Sequence, residues 1–369
     1  MSTVAVAQCR EGFEIEAGLD LAALARACGV TADVQAVPRS GHAIATVGGA
    51  SAPVLARWTS AERAAPPVFA RSVFIGTGPL TIASPARGND RPDRVEPLAQ
   101  ALAALIGKRA VQAPWVEYPD TNAGKELSSL ARALEPRLAA RLAALAVPVT
   151  DAAGAARAHV FLLDGSTAYI GCSAAGTGAA WPMGIPRLRM PAGAPSRSAR
   201  KLAEAFVTFL GPRQADVLRP GQRAVDLGAA PGGWSWQLAR HGLRVTAVDN
   251  GPLKGEAADD PLITHVREDG LHFRPRRPVD WLTCDMAEKP SRIAALVGTW
   301  LGEGIARHAI FNLKLPMKRR YEEMERCRSI ILAALGERQV RGALALRQLY
   351  HDREEITGYA TSEPHSAAR

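Results

Sequence analysis

The sequence predicts an α/β protein of two or three domains, in which mixed α+β units precede an open, mostly parallel sheet. The chain has 369 residues, which exceeds the usual size of a single domain. Residues 174–195 are dense in glycine, proline and alanine, a composition typical of a linker at a domain boundary. After this segment apolar strands alternate with helical segments, which indicates βαβ units on a parallel sheet.

The composition is that of a globular protein, with 47% hydrophobic and 22% charged residues. No apolar run approaches the ~20 residues that a membrane span requires, and the first residues lack the pattern of a secretory signal. The five cysteines are scattered without a CxxC pair, which argues against a disulfide framework and against a cysteine-rich zinc site. We therefore expect a cytoplasmic protein with no membrane segment and no bound metal.

The charge balance favours a polyanionic partner. Lys and Arg number 45 against 36 Asp and Glu, which gives a formal net charge of +9. Because many basic enzymes bind no nucleic acid, clustering matters more than the total. Three clusters could contact phosphates: Arg187, Arg189, Arg197 and Arg200; Arg274, Arg276 and Arg277; Lys318, Arg319 and Arg320. The alternative for each cluster is a solvated charged surface.

Residues 1–75 predict a small ferredoxin-like α+β domain. Strand-like segments cover 4–9, 34–37, 42–47 and 71–78. A helix-spaced apolar stripe runs from Leu19 to Cys28, and Gly29 is a plausible helix stop. A strand, a helix and then further strands in this order are typical of the ferredoxin-like arrangement.

Residues 76–173 predict a second α+β unit. Regularly spaced leucines mark helices before and after the strand-like segment 115–119. Pro136 lies inside the second leucine run, so we expect a kink or a new helix start there. Residues 158–173 form two short apolar runs around Asp164-Gly165, which is a strong hairpin signal.

The segment 223–251 predicts the first half of a Rossmann-like unit. The apolar strand 224–227 leads into the glycine-rich turn 228–233, and a helical segment then precedes a strand that ends at Asp249. Glycines in such a turn let the backbone approach a ligand, and an acid after the second strand can accept hydrogen bonds from ribose hydroxyls.

The turn does not match the common phosphate-binding patterns. A dinucleotide fingerprint requires glycine where Ala230 stands, and Pro231 lacks the N–H that a pyrophosphate would use. No P-loop pattern is present. The acidic strand residue Asp226 suits a cationic ligand better than a phosphate. These features favour S-adenosylmethionine, which carries an ammonium, a sulfonium, a ribose diol and an adenine.

Two further acids follow later strands of the predicted sheet. Asp269 lies after the third strand, where an adenine amino group is usually bound, and Asp285 ends the fourth. The carboxyl ends of parallel strands face the ligand crevice. Each acid could instead be an ordinary turn residue.

Two lysines and a late glutamate complete a candidate catalytic set with Asp285. Lys314 lies within the apolar strand 310–316, where an unpaired amine would be costly. Lys201 lies in a helical segment that Ser196 or Ser198 could cap. Glu354 and Glu355 compete for the glutamate role, and Glu355 is preferred because it directly precedes the last strand. Such a set can hold a ribose hydroxyl and tune one lysine towards deprotonation.

These blocks resemble the RNA ribose 2′-O-methyltransferases of Rossmann fold that carry a Lys-Asp-Lys-Glu tetrad. The resemblance is strongest to the ribosomal RNA large subunit methyltransferase M type, and it covers nearly the whole chain, most clearly from 181 to 357. The blocks that carry it are PSRSARKL, DLGAAPGGW, CDM, NLKLP and REE, together with 118–128 and 181–198. The sequence departs in carrying Gly358 in the last strand, which we expect to loosen the edge of the sheet.

The resemblance implies a ferredoxin-like domain, a THUMP-like RNA-binding domain over 76–173 and a methyltransferase domain over 196–369. It implies Lys314 as proton acceptor, with Lys201, Asp285 and Glu355 as the other members of the tetrad. The implied substrate is a cytidine in 23S ribosomal RNA of the large subunit. The implied cofactor contacts are Ser198, Ala230, Pro231, Gly232, Gly233, Asp249, Asp269 and Asp285.

Other readings remain open at this point. Methylation of a base carbon requires a cysteine nucleophile, but Cys284 lacks the usual preceding proline and an evident histidine partner. Enzymes that methylate an exocyclic amine usually carry the motif Asn/Asp-Pro-Pro-aromatic at the fourth strand, and this sequence lacks that motif. A small-molecule methyltransferase would not need the preceding 195 residues. A non-catalytic RNA-binding or ribosome-assembly protein that retains the cofactor fold is the main alternative.

Overall fold

The structure is a computed structural model that describes residues 2–48, 51–83, 93–337 and 343–362. The chain divides into two compact units, Met1–Pro186 and Arg187–Arg369, and each contains a seven-stranded sheet. The division falls within the segment 174–195 that the composition marks as a linker. The finer division of the first unit into two domains stays a prediction.

The first unit is an α+β structure. Its elements are β1 (Thr3–Cys9), α1 (Glu14–Ala27), β2 (Ala32–Gln35), β3 (His42–Val47), α2 (Ala52–Ala64), β4 (Ala70–Thr81), α3 (Val95–Ile106), β5 (Val111–Glu117), α4 (Asn122–Lys125), α5 (Ser128–Ala144), β6 (Ala156–Leu162) and β7 (Thr167–Ser173). A 3-10 turn, Pro182–Gly184, follows them. The strand order is β2-β3-β1-β4-β7-β6-β5, and β5–β6 is the one parallel pair among these described strands.

The strand β4 joins the two predicted halves of this unit into one sheet. It pairs with β1 on one side and β7 on the other, and it runs through the expected boundary between residues 75 and 76. The helix α5 continues through Pro136, where we expected a kink or a new start. Its buried residues Leu134, Leu138 and Leu142 keep one face on the core across the proline.

A buried hydrogen-bond chain fixes the segment that leaves this sheet. His159 on β6 contacts Glu117 Oε2 through Nδ1 at 2.7 Å and Ser173 Oγ through Nε2 at 2.9 Å. Glu117 Oε1 accepts a bond of 2.5 Å from the backbone N–H of Met183. The sequence block 181–186 is therefore anchored to the three strands β5, β6 and β7 by buried polar groups.

The second unit is an α/β structure. Its elements are α6 (Ser198–Phe209), α7 (Gln214–Val217), β8 (Arg223–Leu227), α8 (Gly233–Arg240), β9 (Arg244–Val248), α9 (Glu256–Asp259), β10 (Ile263–Val266), β11 (Val279–Cys284), α10 (Pro290–Gly302), β12 (Ala306–Lys314), α11 (Arg320–Glu337), β13 (Ala343–Arg347) and β14 (Glu355–Thr361). The strand order is β10-β9-β8-β11-β12-β14-β13.

The strand order places a ligand crevice. Strands β8 to β12 pair in parallel, and β14 is antiparallel to both of its neighbours. The chain order reverses between β8 and β11, so the loops that leave these two strands diverge at their carboxyl ends. Open α/β sheets bind ligands at such a switch point. The Rossmann-like open sheet expected for the C-terminal part is thereby present.

The expectation that Gly358 loosens the sheet edge is wrong. The strand β14 lies between β12 and β13 rather than at an edge, and Gly358 is paired with Phe311. A Cβ at position 358 would lie 2.3 Å from the Phe311 ring. The glycine therefore makes room for a fully buried aromatic side chain and fits the core.

No helix among the described residues is long and apolar enough to cross a membrane. The same residues contain no group of three His, Cys, Asp or Glu side chains that could hold a metal ion. All five cysteines are free thiols.

Candidate active site

The glycine-rich turn between β8 and α8 brings two chain segments into close contact. Gly232 has a φ of 109°, a conformation that favours glycine, and α8 begins at the next residue. A Cβ on Gly233 would lie 2.3 Å from Ser196 Oγ and 2.5 Å from Ser198 Oγ. The start of α6 therefore lies directly against the turn, and a side chain on Gly233 would push it away.

The prediction that Ser196 or Ser198 caps α6 is wrong. The helix begins at Ser198 with Arg197 at the capping position, and neither serine makes a capping hydrogen bond. The two hydroxyls instead lie 2.6 Å apart. Because Gly233 approaches them so closely, Ser198 is placed beside the turn where the predicted cofactor contacts lie.

Asp249 follows β9 and supports the same turn. Its Oδ2 accepts a hydrogen bond of 3.0 Å from the N–H of Ala230, and its Oδ1 accepts one of 2.7 Å from the N–H of Gly251. A carboxylate oxygen can accept more than one hydrogen bond. Asp249 is partly exposed, so both of its carboxylate oxygens can also accept hydrogen bonds from ribose hydroxyls.

Asp269 is exposed, and its contacts are those of a turn residue. Its Oδ1 accepts from the N–H of Leu271 at 2.9 Å, and its Oδ2 lies 2.8 Å from His272 Nδ1. The hydrogen bond from Leu271, followed by that from His272, lowers the pKa of Asp269. The role of Asp269 in binding adenine stays a prediction.

Asp226 does not face the crevice, although its place before the glycine turn suggested contact with a cation. It is buried at 1% exposure, and its carboxyl group accepts from Ser235 Oγ at 2.6 Å and Thr283 Oγ1 at 2.9 Å. Burial raises the pKa of Asp226 to about 7, although the hydrogen bonds from Ser235 and Thr283 oppose the rise. Asp226 thus ties β8 to α8 and β11 from inside the sheet.

Asp226→Asn is expected to change how stability depends on pH. Folding raises the pKa of Asp226 to about 7, so its stabilising contribution is complete below about pH 4 and is lost as the pH rises to about 7. The difference in free energy of unfolding between variant and wild type should shift by on the order of 4 kcal/mol across this range, in favour of the variant. Urea unfolding at several pH values measures the free energy of unfolding of both proteins. A difference between them that stays constant with pH would contradict a raised pKa for Asp226.

The structure brings together Lys201, Asp285, Lys314 and Glu355, the four side chains singled out as a catalytic set. Lys314 Nζ donates to Asp285 Oδ1 at 2.7 Å and to Glu355 Oε2 at 2.8 Å. Lys201 Nζ donates to Glu355 Oε1 at 2.5 Å and lies 3.8 Å from Asp285 Oδ2. We call these four residues the tetrad. Each carboxylate therefore lies between the two amines.

The sheet register positions the tetrad. Lys314 ends β12 and is paired directly with Glu355, the first residue of β14. Asp285 follows β11, the parallel neighbour of β12, and its N–H donates to Leu227 O at 3.1 Å. Lys201 reaches the same point from α6, which also carries Ser198 against the glycine turn. The tetrad and the turn thus lie at one end of the sheet.

The tetrad holds Lys314 in its charged form. Burial lowers the pKa of Lys314, but the charges of Asp285 and Glu355 and their hydrogen bonds outweigh burial and raise it above its usual range. For Glu355 burial raises the pKa, and the charges of Lys201 and Lys314 outweigh it and lower the pKa. The sequence suggested that the tetrad tunes one lysine towards deprotonation. The two carboxylates instead raise the pKa of Lys314 and favour its protonated form.

A buried polar chain behind the tetrad was missed by the sequence analysis. Asn312 Nδ2 donates to Asp285 Oδ1 at 2.8 Å, and Asn312 Oδ1 lies 2.8 Å from Thr357 Oγ1. Thr357 Oγ1 also lies 3.0 Å from both oxygens of Asp352. One signal was available for Asn312, because it precedes Lys314 by two residues and so shares its face of the strand.

Glu354 lies outside the tetrad. Its carboxylate pairs with Arg320 Nη2 at 2.7 Å, and Arg319 pairs with Glu322. Two of the three basic residues after β12 therefore already have acidic partners. Lys318, the first residue of this cluster, is exposed. A phosphate contact by this cluster stays a prediction.

Cys284 is poorly suited to nucleophilic attack on a base. It is fully buried, and burial raises the pKa of its thiol to about 12. A thiol that stays protonated at neutral pH is a weak nucleophile. This geometry disfavours the alternative of methylation at a base carbon.

Two family models match the chain. The FtsJ-like methyltransferase family matches residues 194–315, which contain the glycine turn, Asp285 and Lys314. The family described as the N-terminal part of ribosomal RNA large subunit methyltransferase M matches residues 93–174.

Relatives match over most of the chain. A "Ribosomal RNA large subunit methyltransferase M" of Methylococcus capsulatus is 46% identical over 95% of this chain and 96% of the relative. A protein of the same name from Thauera aminoaromatica is 43% identical over 96% and 94%. Another from Laribacter hongkongensis is 49% identical over 72% and 75%. With its tetrad beside a glycine-rich turn, the chain belongs to the ribosomal RNA large subunit methyltransferase M family.

Proposed function

We propose that the protein transfers the methyl group of S-adenosylmethionine to the 2′-hydroxyl of a cytidine in 23S ribosomal RNA, with Lys314 as proton acceptor. The observation that carries this proposal is the tetrad, whose two amines and two carboxylates meet at the crevice end of the sheet. The family supplies the reaction class and the large-subunit RNA. The cytidine and the role of Lys314 are the finer parts of the proposal.

The residues around the glycine turn fit the cofactor. Asp249 presents a partly exposed carboxylate for ribose hydroxyls. The absence of side chains at Gly232 and Gly233 lets the turn pack closely against Ala257, Ser196 and Ser198. The residues that would hold the cofactor are Ser198, Ala230, Pro231, Gly232, Gly233, Asp249, Asp269 and Asp285. When bound, S-adenosylmethionine supplies a methyl group already activated by a positively charged sulfur.

The residues of the tetrad would act on the attacking hydroxyl. Asp285 and Glu355 hold the amine of Lys314 from two sides, which fixes its position before the substrate arrives. To accept the 2′-hydroxyl proton, Lys314 must first release one of its own. A further cation in the crevice and the displacement of a carboxylate by the hydroxyl would both lower the pKa of Lys314. Lys201 then keeps Glu355 paired while Lys314 engages the substrate.

We further propose that the first unit binds RNA in the cytoplasm. Its β1-α1-β2-β3-α2-β4 order with the strand order β2-β3-β1-β4 is that of a ferredoxin-like domain over 1–75, extended by the end of β4. The rest, 76–173, would be the THUMP-like domain. Such α+β units can recognise RNA by shape rather than by sequence.

Nucleoside mapping tests the proposed function. Large-subunit ribosomal RNA from cells that lack this protein should lose one 2′-O-methylcytidine, and expression of the wild type should restore it. Mass spectrometry of nuclease fragments locates the nucleotide. Loss of a base methylation instead, or an unchanged methylation map, would contradict the proposal.

A further inference from the structure

The second unit contains a basic cleft at the end of the sheet opposite the tetrad. The cleft has a volume of about 550 Å³ and is lined by Arg223, Arg244, Arg276 and Arg277. Arg223 and Arg244 begin β8 and β9 and are paired across these strands. Arg276 and Arg277 precede β11. We call these four residues and their cavity the arginine cleft.

The arginine cleft is separate from the candidate active site. The tetrad and the glycine turn lie at the carboxyl ends of the strands, whereas the cleft lies at their amino ends. The strand β8 has five residues, which corresponds to about 16 Å at ~3.3 Å per residue. A ligand in the cleft therefore does not touch the reacting atoms.

The charges of the cleft are not balanced by nearby carboxylates. Asp280 accepts from the N–H of Arg223 at 2.9 Å and pairs with Arg307, so it is already engaged. The guanidinium of Arg223 donates to Pro278 O at 2.8 Å, which fixes its position. Within the described part of the chain, Arg244, Arg276 and Arg277 are exposed and have no acidic partner. Neighbouring unpaired guanidinium groups repel one another, and an anionic ligand relieves that repulsion.

We propose that the arginine cleft binds the phosphodiester backbone of the substrate RNA at a distance from the methylated nucleotide. Guanidinium groups match phosphate oxygens with paired hydrogen bonds, and arginines on several segments can follow successive phosphates. Phosphate contacts of this kind position an RNA without reading its sequence. The proposal rests on the proposed function, because the RNA is the substrate named there.

A double variant tests the arginine cleft. Arg244→Gln/Arg277→Gln is compared with Arg240→Gln/Arg326→Gln, which removes two exposed arginines of the same unit outside the cleft. With purified protein and ribosomal RNA, the cleft variant should raise KM for RNA roughly tenfold at moderate salt. Because two phosphate contacts are removed, it should lower the salt dependence of binding by about 1.5 units of slope. The value of kcat at saturating RNA should not change, and the control should remain within twofold of wild type.

The outcomes separate this inference from the proposed function. Equal KM values for the cleft variant and the control would overturn the inference, while methylation by the wild type would still support the function. If the cleft variant loses affinity for inorganic phosphate but keeps the wild-type affinity for RNA, the cleft is a small-anion site, and that result also overturns the inference.

A second inference rests on the buried chain of Asn312, Thr357 and Asp352. The hydroxyl of Thr357 has one proton, yet its oxygen lies within 3.0 Å of both Asn312 Oδ1 and Asp352. Since Asn312 Nδ2 donates to the Asp285 carboxylate, its carbonyl oxygen faces Thr357 and requires that proton. Asp352 must then donate to Thr357, which only a protonated carboxyl group can do.

The environment of Asp352 supports the neutral form. Asp352 is fully buried, and its Oδ2 accepts a bond of 2.9 Å from the N–H of Leu349. Burial raises the pKa of Asp352 well above its usual range, and the charge of Lys201 only partly opposes this. Glu355 on β14 and Glu204 on α6 also face the group and raise its pKa.

We infer that Asp352 is a positioning residue that, as a neutral acid, orients Asn312 and through it the catalytic Asp285. With the chain oriented this way, the Asn312 amide donates to the same Asp285 oxygen that accepts from Lys314. With the chain reversed, the amide oxygen would face that carboxylate and repel it. The proton on Asp352 therefore fixes the direction of the hydrogen bonds that run from Asp352 through Thr357 and Asn312 to Asp285. The inference rests on the proposed role of the tetrad.

Isosteric variants test this role. Asp352→Asn keeps a donor to Thr357 and an acceptor for Leu349, so kcat should stay within about threefold of wild type. Asp352→Ala and Thr357→Val break the chain and should lower kcat roughly thirtyfold, with KM values for RNA and cofactor unchanged. Thr357→Ser should restore the rate. The infrared difference spectrum between wild type and Asp352→Asn should show a protonated carboxyl group at neutral pH.

Each contrary result has a clear meaning. An Asp352→Asn variant as slow as Asp352→Ala, or a spectrum with only an ionised carboxylate, would overturn the neutral-acid assignment. A wild-type rate for Thr357→Val would overturn the claim that the hydrogen-bond chain positions Asp285. If Asp352→Ala fails to fold, Asp352→Asn and the two Thr357 variants still decide the matter. Loss of methyl transfer by the wild type would instead overturn the proposed function.

Discussion

Lys314→Met is expected to lower kcat for methyl transfer to ribosomal RNA on the order of 10³-fold, the range observed when a general base is removed. Methionine retains most of the length of the side chain but cannot accept a proton or donate to Asp285 and Glu355. Because Lys314 lies at the end of β12 rather than in the glycine turn, cofactor affinity should change little. Single-turnover transfer from labelled cofactor measures the chemical step, and calorimetry measures cofactor binding.

Lys289→Met is the matched control for this variant. Lys289 is an exposed lysine of the same unit and lies just before α10, outside the tetrad. Its replacement removes the same charge and should leave kcat within twofold of wild type. If Lys314→Met retained the wild-type rate, the 2′-hydroxyl proton would have to go elsewhere and the assignment of Lys314 would fail.

Glu355→Gln is expected to lower kcat on the order of 10²-fold and to move the pH profile. Glu355 raises the pKa of Lys314, so the amide should lower that pKa. If deprotonated Lys314 accepts the proton, the rate rises with pH up to its pKa, and the midpoint of that rise should move to lower pH in the variant. Measurement of kcat across alkaline pH values tests the direction of the shift.

The neighbouring Glu354→Gln variant is the control for Glu355. Glu354 pairs with Arg320 outside the tetrad, so its replacement should leave both kcat and the midpoint of the pH profile near those of wild type. A midpoint in Glu355→Gln that stays in place, or moves to higher pH, would contradict the electrostatic account of the tetrad. Removal of one partner of a buried ion pair also costs about 3 kcal/mol, so folding is checked by thermal unfolding.

Much of the site could be predicted because its chemistry is local in sequence. An acid or a lysine at a strand end, or a glycine turn before a helix, is visible in a few consecutive residues. The topology of open α/β sheets then brings strand ends such as Asp285 and Lys314 to one edge. The choice of Glu355 over Glu354 followed from its place at the start of β14.

The remaining features depend on burial and long-range contacts. Asp352 lies in a loop without periodicity, and its role is visible only through Thr357 and Asn312 on two neighbouring strands. Asp226 and Asp249 both stand near the end of a strand. They differ because the carboxyl group of Asp226 is enclosed by Ser235 and Thr283, whereas that of Asp249 is partly exposed. Strand-end position alone cannot separate these two cases.

The helix α2 was missed although a signal was present. Its buried residues Val54, Trp58 and Glu62 recur every fourth position, which is the helical period. The charged Glu62 hid this stripe, because its carboxylate is buried to accept from the N–H of Gly178 at 2.7 Å. Polar residues with such partners are invisible to a search for apolar periodicity.

The most direct test of the account places the methyl group within the product. Purified wild type is incubated with labelled cofactor and large-subunit RNA from cells that lack the protein, and the RNA is then hydrolysed in alkali. Because alkaline cleavage requires a free 2′-hydroxyl, we expect the label in an alkali-resistant dinucleotide that begins with cytidine, and its absence with Lys314→Met. Label released in a mononucleotide, or transferred equally by the variant, would contradict ribose methylation through Lys314.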